Sequence, residues 1–307
     1  MRQRRCCRSR SSAWSPQGDM ACGTVMERIG VIGLGRMGRA MAARLAERGA
    51  AVTGWTRSGL SAEDAAQLGI QAAGDIGALC AASDIILTSL FDDAAVKAVL
   101  AALSDEDLTG KLILETSTVS PEIVKAQAPH LDAEIMDAPI AGGPEMLTNA
   151  TCTFFLGGSE AAAARAEPVL ALISGARLHV GPLGAGMTMK AIVNAQLNVY
   201  FAGLWDTLAM ARRAEIPIET ALTILAKSPA GMPMVKARLP RLLGEDDSVG
   251  FSAAGALKDV SVFADMVRET GQGAPSLDAA RHAWAQLDGD PEAQDVAALI
   301  RQAYRRG

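Results

Sequence analysis

From residue 28 onward, short apolar runs alternate with longer stretches in which apolar positions recur every three or four residues. The short runs fall at residues 28–32, 51–55, 85–88, 111–114 and 133–136, with two further runs at 153–158 and 177–180. Most are bounded by glycine, serine or aspartate, as strands are. Between them, residues 40–48, 93–103 and 121–128 carry helical periodicity, the first ending at Gly49 in the manner of a C-cap. Strands separated by helices at this spacing predict an α/β fold with a doubly wound parallel sheet. At Gly181-Pro182-Leu183-Gly184-Ala185-Gly186 the pattern changes, and the strand signal stops. Residues 187–214 form one long proline-free helical stretch, with more helices after it. The organisation expected is an α/β domain over 26–186 joined by the long helix to an all-α C-terminal domain over 187–307.

Composition narrows this picture. Half of the 307 residues are apolar and 21% are charged, enough for sizeable cores. A net charge of −5 argues against nucleic acid as a partner, since phosphate binding needs a cationic face. No apolar run reaches the roughly 18 residues that span a bilayer, so no membrane association is expected. The five cysteines, Cys6, Cys7, Cys22, Cys80 and Cys152, lack the paired spacing of a zinc site. They read as free thiols of a cytoplasmic protein that binds no metal. Residues 1–25 stand apart: Met1 to Arg10 holds five arginines, and the Ser/Arg-rich stretch runs to Gly18. It reads as a disordered tail, or as sequence upstream of a true start at Met20 or Met26.

Gly33-Leu34-Gly35-Arg36-Met37-Gly38 follows the first strand and opens the first helix. Glycines there permit a tight turn, let backbone approach a pyrophosphate and let the helix pack on the sheet, with its N-terminus facing the anion. The implied ligand is a dinucleotide. An acidic residue about 20 positions beyond the glycines would bind a ribose 2′-hydroxyl and repel a 2′-phosphate. This chain has Trp55-Thr56-Arg57-Ser58 instead. Arg57 can pair with a phosphate while Thr56 and Ser58 add hydroxyls, so NADP is favoured, with NAD possible. After the strand at 133–136 comes Asp137-Ala138-Pro139-Ile140-Ala141-Gly142-Gly143-Pro144, whose glycines can turn N–H groups towards a carboxylate or serve as a plain turn. On the long helix Lys190 and Asn194 share one face. Reducing a carbonyl with hydride needs a proton donor at the new alkoxide, and a lysine with a tuned pKa can supply it. Lys258-Asp259, late in the chain, taken alone reads as an ordinary exposed pair.

Taken in order, these pieces resemble the β-hydroxyacid dehydrogenase family, which includes 3-hydroxyisobutyrate dehydrogenases and glyoxylate/succinic semialdehyde reductases. The resemblance covers about residues 28–300. It implies a Rossmann domain joined by a long helix to a helical domain like that of 6-phosphogluconate dehydrogenase, in homodimers or homotetramers. It further implies a nicotinamide contact through Thr118 in Ser117-Thr118-Val119-Ser120-Pro121, and cofactor contacts from Leu90 and Phe91, the latter standing where the family has proline. The family's catalytic lysine and its asparagine partner fall on Lys190 and Asn194, and its late cofactor-reaching lysine on Lys258. The substrate loop is Ala141-Gly142-Gly143 in place of Ser-Gly-Gly, and glycines usual further on are replaced by Met146 and Ala150. Thr56 stands where many relatives have asparagine. The function expected is an NADP-dependent oxidoreductase moving a hydride between the nicotinamide and a small hydroxy acid or aldehyde. Lys190 is its general acid/base, and Ala141, Gly142, Gly143, Lys190 and Asn194 surround the substrate. Two alternatives stand beside it: an imine reductase of the same architecture, in which Asp or Tyr usually replaces that lysine, and a non-catalytic dinucleotide-binding scaffold.

Overall fold

A computed structural model describes residues 27–306, so the expectations for residues 1–25 lie outside the described residues. Nine strands form one sheet: β1 (Ile29–Ile32), β2 (Val52–Trp55), β3 (Gln71–Ala72), β4 (Ile85–Thr88), β5 (Leu112–Glu115), β6 (Glu134–Asp137), β7 (Ile140–Ala141), β8 (Thr153–Gly157) and β9 (Ala176–Gly181). Their order is β3-β2-β1-β4-β5-β6-β8-β7, with β9 beside β8. From β3 to β6 all neighbours are parallel, while β8 runs antiparallel to β6 and β7. The order reverses between β1 and β4. There, adjacent crossover connections leave on opposite faces and open a crevice at the carboxyl ends of the strands.

The helices on this sheet are α1 (Arg36–Glu47), α2 (Ala62–Leu68), α3 (Ile76–Ala81), α4 (Asp93–Leu103), α5 (Pro121–Gln127), α6 (Pro144–Thr148) and α7 (Glu160–Leu170). Alternation along the strands builds a core on each face. Ile29, Val31, Ile85, Leu87, Leu112 and Leu114 pack with Met41 and Leu45 of α1 on one side. Ile32, Ile86 and Ile113 pack with Leu79, Leu100 and Val124 on the other. Strands buried on both faces read as near-continuous apolar runs, which is why they were legible. The first helix, expected from residue 40, starts at Arg36, so Arg36, Met37 and Gly38 form its first turn rather than a free loop. β3 and β7, two residues each, left no periodic trace.

The long helix is α8 (Ala185–Arg213), followed by α9 (Ile218–Lys227), α10 (Pro233–Ala237), α11 (Leu239–Leu243), α12 (Ala253–Glu269), α13 (Pro275–Trp284) and α14 (Ala297–Arg306). Leu197, Phe201, Leu204 and Leu208 of α8 recur at three- and four-residue steps and bury against Val260, Phe263, Leu277, Trp284 and Ile300. Among the described residues no strand follows β9, and no helix is long and apolar enough to cross a membrane.

Ala150, one of the two positions noted as lacking the usual glycine, has φ of +51° just after α6. An L-residue in this left-handed region is strained by roughly 1–2 kcal/mol, partly offset by the greater chain entropy of glycine. Ala150→Gly is therefore expected to raise stability by about 0.5–1 kcal/mol, read as a higher urea midpoint at unchanged slope. A lower midpoint would show that the turn is not strained.

Candidate active site

Five helices on the sheet have a side-chain N-cap: Ser61 for α2, Asp75 for α3, Asp92 for α4, Ser120 for α5 and Ser159 for α7. Helix α1 has none: its N-cap is Gly35, and its first turn carries no acidic residue. A Cβ built on Gly35 meets nothing within 4 Å, so there is open space at the N-cap of the helix. Gly33 sits at φ +91°, and a Cβ there would lie 2.3 Å from the Ser89 carbonyl oxygen. A Cβ on Gly38 would lie 1.9 Å from the Gly33 carbonyl oxygen. Two glycines thus allow packing and the third leaves the helix end clear. This is the cradle a pyrophosphate requires, and a nicotinamide dinucleotide fits it. Leu34 is buried in the core, which leaves only its backbone to face a ligand. Met37 packs against the same core, while Arg36 is exposed beside the loop. Gly33 N–H donates to the Trp55 carbonyl at 2.9 Å, placing the loop beside Thr56 and the exposed Arg57 and Ser58 at the end of β2.

The loops after β4 and β5 are tied together. Ser117 Oγ accepts from Leu90 N–H at 2.8 Å. Glu115, fully buried, accepts from Thr88 Oγ1 at 2.5 Å and from Ser117 N–H at 2.7 Å. Burial pushes this carboxyl above its ordinary range, opposed by those hydrogen bonds. Thr118 and Phe91, half-buried and exposed, meet the helical domain through Lys258 on α12. Lys258 Nζ donates to the Thr118 carbonyl at 2.7 Å and to the Phe91 carbonyl at 3.3 Å, and lies 5.8 Å from the Phe91 ring centroid. It also pairs with Asp259 Oδ1 at 2.9 Å. The expectation of an ordinary exposed pair is corrected here: Asp259 is buried, because α12 packs that face on α8.

Lys190 and Asn194 are buried on α8. Lys190 Nζ donates to the Ile140 carbonyl at 2.5 Å, at the base of the Ala141-Gly142-Gly143 loop. Asn194 Nδ2 reaches Asp259 Oδ2 at 3.4 Å. Burial pulls the Lys190 ammonium down to about 8, with Asp259 holding it up and Lys258 pressing it further down. Gly142 takes φ +149°, and a Cβ on Gly143 would lie 3.0 Å from the Gly250 carbonyl oxygen of the helical domain. Lys190, Asn194, Lys258, Asp259, Phe91, Thr118 and the Ile140–Gly143 segment therefore form one continuous set, joined to the glycine loop through Ser89 and Leu90. Arg57, Thr56 and Ser58 stand at the far end of the same sheet edge, towards β2.

Sequence reasoning missed three buried acids here: Glu115, Asp137 and the burial of Asp259. Glu115 and Asp137 shared a weak signal, an acid at the end of an apolar strand; the burial of Asp259 had none. Among the described residues no cluster of His, Cys, Asp or Glu could hold a metal ion. Cys80 and Cys152 are buried and free, each thiol pushed up to about 11 by burial. A groove of about 430 Å³ between α1, α2 and the end of α6 contains none of the site residues.

An uncapped glycine loop at a sheet's switch point and a buried lysine from a following helical domain are parts that fit a nicotinamide-dependent oxidoreductase. Similarity to known proteins gives the same class. The NAD-binding domain of 6-phosphogluconate dehydrogenase matches residues 28–181, and the NAD-binding domain of NADP-dependent 3-hydroxyisobutyrate dehydrogenase matches residues 184–303. The chain is 30% identical to 2-(hydroxymethyl)glutarate dehydrogenase of Eubacterium barkeri over 230 residues, 73% of this chain and 76% of that one. It is 28% identical to NAD-dependent L-serine dehydrogenase of Pseudomonas aeruginosa over 272 residues, 81% and 88% of the two chains. A solved structure of Mycobacterium tuberculosis 3-hydroxyisobutyrate dehydrogenase with L-serine superposes with a TM-score of 0.82 at 26% identity, covering 91% of this chain and 99% of that one. The chain belongs to the β-hydroxyacid dehydrogenase family of NAD(P)-dependent oxidoreductases.

Proposed function

We propose that this protein is an NADP-dependent reductase or dehydrogenase that interconverts a small carboxylate-bearing aldehyde and the corresponding hydroxy acid. The observation that carries the reading is Lys190: a buried ammonium at the base of the Ala141-Gly142-Gly143 loop, with its pKa brought down to about 8. A general acid works best when its pKa lies near the working pH. In reduction Lys190 Nζ gives a proton to the carbonyl oxygen, and in oxidation it takes one from the hydroxyl. Asn194 and Asp259 hold the lysine and the substrate oxygen in register, and the backbone of Gly142 and Gly143 orients the carboxylate. The glycine loop, Arg36, Thr56, Arg57, Ser58, Leu90, Phe91, Thr118 and Lys258 hold the dinucleotide, whose nicotinamide supplies or takes the hydride when bound. The preference for NADP rests on Arg57, exposed at the end of β2 with no acid in the Trp55–Ser58 segment. We further propose a homodimer or homotetramer, supported by exposed Ile192 and Met210 on α8 and Ile224 on α9. The buried free thiols fit a cytoplasmic location.

The deciding experiment measures initial rates with NADPH and NADH against small semialdehydes, glyoxylate and cyclic imines. Reduction of a carboxylate-bearing aldehyde with NADPH preferred is the expected result. Arg57→Ala should raise KM for NADPH about tenfold, the loss of one charge-assisted phosphate contact of about 1.4 kcal/mol, and leave NADH nearly unchanged. Turnover confined to imines, or tight NADPH binding without turnover, would overturn the reading.

A further inference from the structure

Asp137 ends β6 and is fully buried, and among the described residues no cation pairs with it. Its two oxygens accept backbone N–H groups from the start of α8: Oδ1 from Gly184 and Oδ2 from Met187, both at 2.6 Å. Two glycines make room for this contact. A Cβ on Gly157, the residue paired with Asp137 across the sheet, would lie 2.3 Å from Oδ1 and 2.7 Å from the Gly186 nitrogen. A Cβ on Gly186 would lie 2.4 Å from the Phe155 carbonyl oxygen and 2.8 Å from Oδ2. The helix end is therefore pressed against β8 at backbone distance, with the carboxylate between them.

Three residues after Asp137, the Ile140 carbonyl accepts from Lys190 Nζ, and Lys190 lies three residues after Met187. The same strand exit thus grips the first two turns of α8 at two points, once by the backbone and once by the lysine. A helix held at one point can still rotate or slide; held at two, its rotation and rise are both set.

Resting on the proposed role of Lys190, we infer that Asp137 is a positioning residue: its carboxylate fixes the start of α8 and thereby places the Lys190 ammonium against the Ile140 carbonyl. It acts through the helix, because its oxygens contact the backbone of Gly184 and Met187 and not the lysine. Each carboxylate oxygen accepts an amide N–H and the side chain is fully buried, so neither oxygen meets a substrate. A misplacement of about 1 Å at a reacting group lowers turnover by about 100-fold, and that is the scale of effect expected.

The test compares Asp137→Ala and Asp137→Asn with wild type by three readings. These are kcat, the Kd for NADPH by fluorescence titration, and the pH midpoint at which Lys190 becomes reactive to an acylating reagent, read by peptide mass spectrometry. Asp137→Ala should lower kcat by about 100-fold, leave the NADPH Kd within about twofold, and move the Lys190 midpoint from about 8 towards that of a solvated lysine. Asp137→Asn keeps one acceptor oxygen and should recover about tenfold of the lost kcat. An unchanged midpoint, or NADPH binding lost in step with kcat, would overturn the inference. If Asp137→Ala does not fold, Gly186→Ala displaces the same helix end and is read the same way. The labelling midpoint does not depend on turnover, so a protein that reduced no carbonyl would defeat the functional reading and still decide this one.

Discussion

Lys190→Ala is expected to lower kcat by about 10²–10⁴-fold, the usual contribution of a positioned general acid, with KM for NADPH little changed. The pH dependence should follow in a defined direction. Reduction needs the protonated amine, so its kcat is full below the Lys190 pKa of about 8 and falls as pH rises through it. Oxidation needs the neutral amine and gains over the same interval. The variant should lose both limbs. Its fold should survive, because an ammonium held well below its solution value of 10.5 is a group whose burial opposes folding at neutral pH. The folded state binds fewer protons at Lys190 between pH 8 and 10.5, so this residue's contribution to stability improves as pH rises through that window. Steady-state rates between pH 6 and 10 and a thermal melt of each protein measure all of this. A variant with near-wild-type turnover, or one whose activity falls only as far as its folded fraction, would remove Lys190 from the chemistry.

The second large effect is expected at the glycine loop. Gly38→Ala puts a Cβ 1.9 Å from the Gly33 carbonyl oxygen, and backbone rather than a flexible side chain must move. Overpacking of this kind lowers stability by about 1–3 kcal/mol. Moving Gly33 also displaces the loop relative to the α1 amides and Leu90. NADPH affinity should therefore fall about 100-fold, some 2.7 kcal/mol, by fluorescence titration. Gly35→Ala is the internal comparison, since its Cβ meets no protein atom and stability should hold while a bound pyrophosphate is crowded. Equal NADPH affinity in Gly38→Ala and wild type would show that the loop does not form the dinucleotide cradle.

The central strands and the long helix were legible in the chain because their signals are local. A strand buried on both faces is an apolar run, and α8 repeats leucine and phenylalanine at helical steps. Helix α4 appears with the expected bounds, Asp93–Leu103, because Asp92 caps one end and apolar periodicity runs to the other. The glycine loop was equally plain, since strand, loop and helix follow one another without a gap. The first turn of α1 was misplaced because glycine-rich sequence reads as loop, whereas sheet packing holds Arg36, Met37 and Gly38 in the helix. The short edge strands were invisible for a related reason. Two residues contain no period, and β7 exists only because β8 lies beside it.

The candidate site divides along the same line. The sequence by itself offered the candidates for the chemistry: a glycine loop for an anion, and a lysine and an asparagine on one helix face, while the lysine-aspartate pair further on stood out only through the family resemblance. Only the tertiary structure decided that Lys190 is buried against Ile140, that Asp259 lies beneath Asn194, that Lys258 reaches Thr118, and that Asp137 closes the end of α8. These contacts join residues 47 to 140 positions apart. A residue's type and its near neighbours determine whether it favours helix or strand. Burial and pKa depend on which distant backbone and charges arrive beside it, and packing the helical domain onto the carboxyl edge of the sheet brings them there.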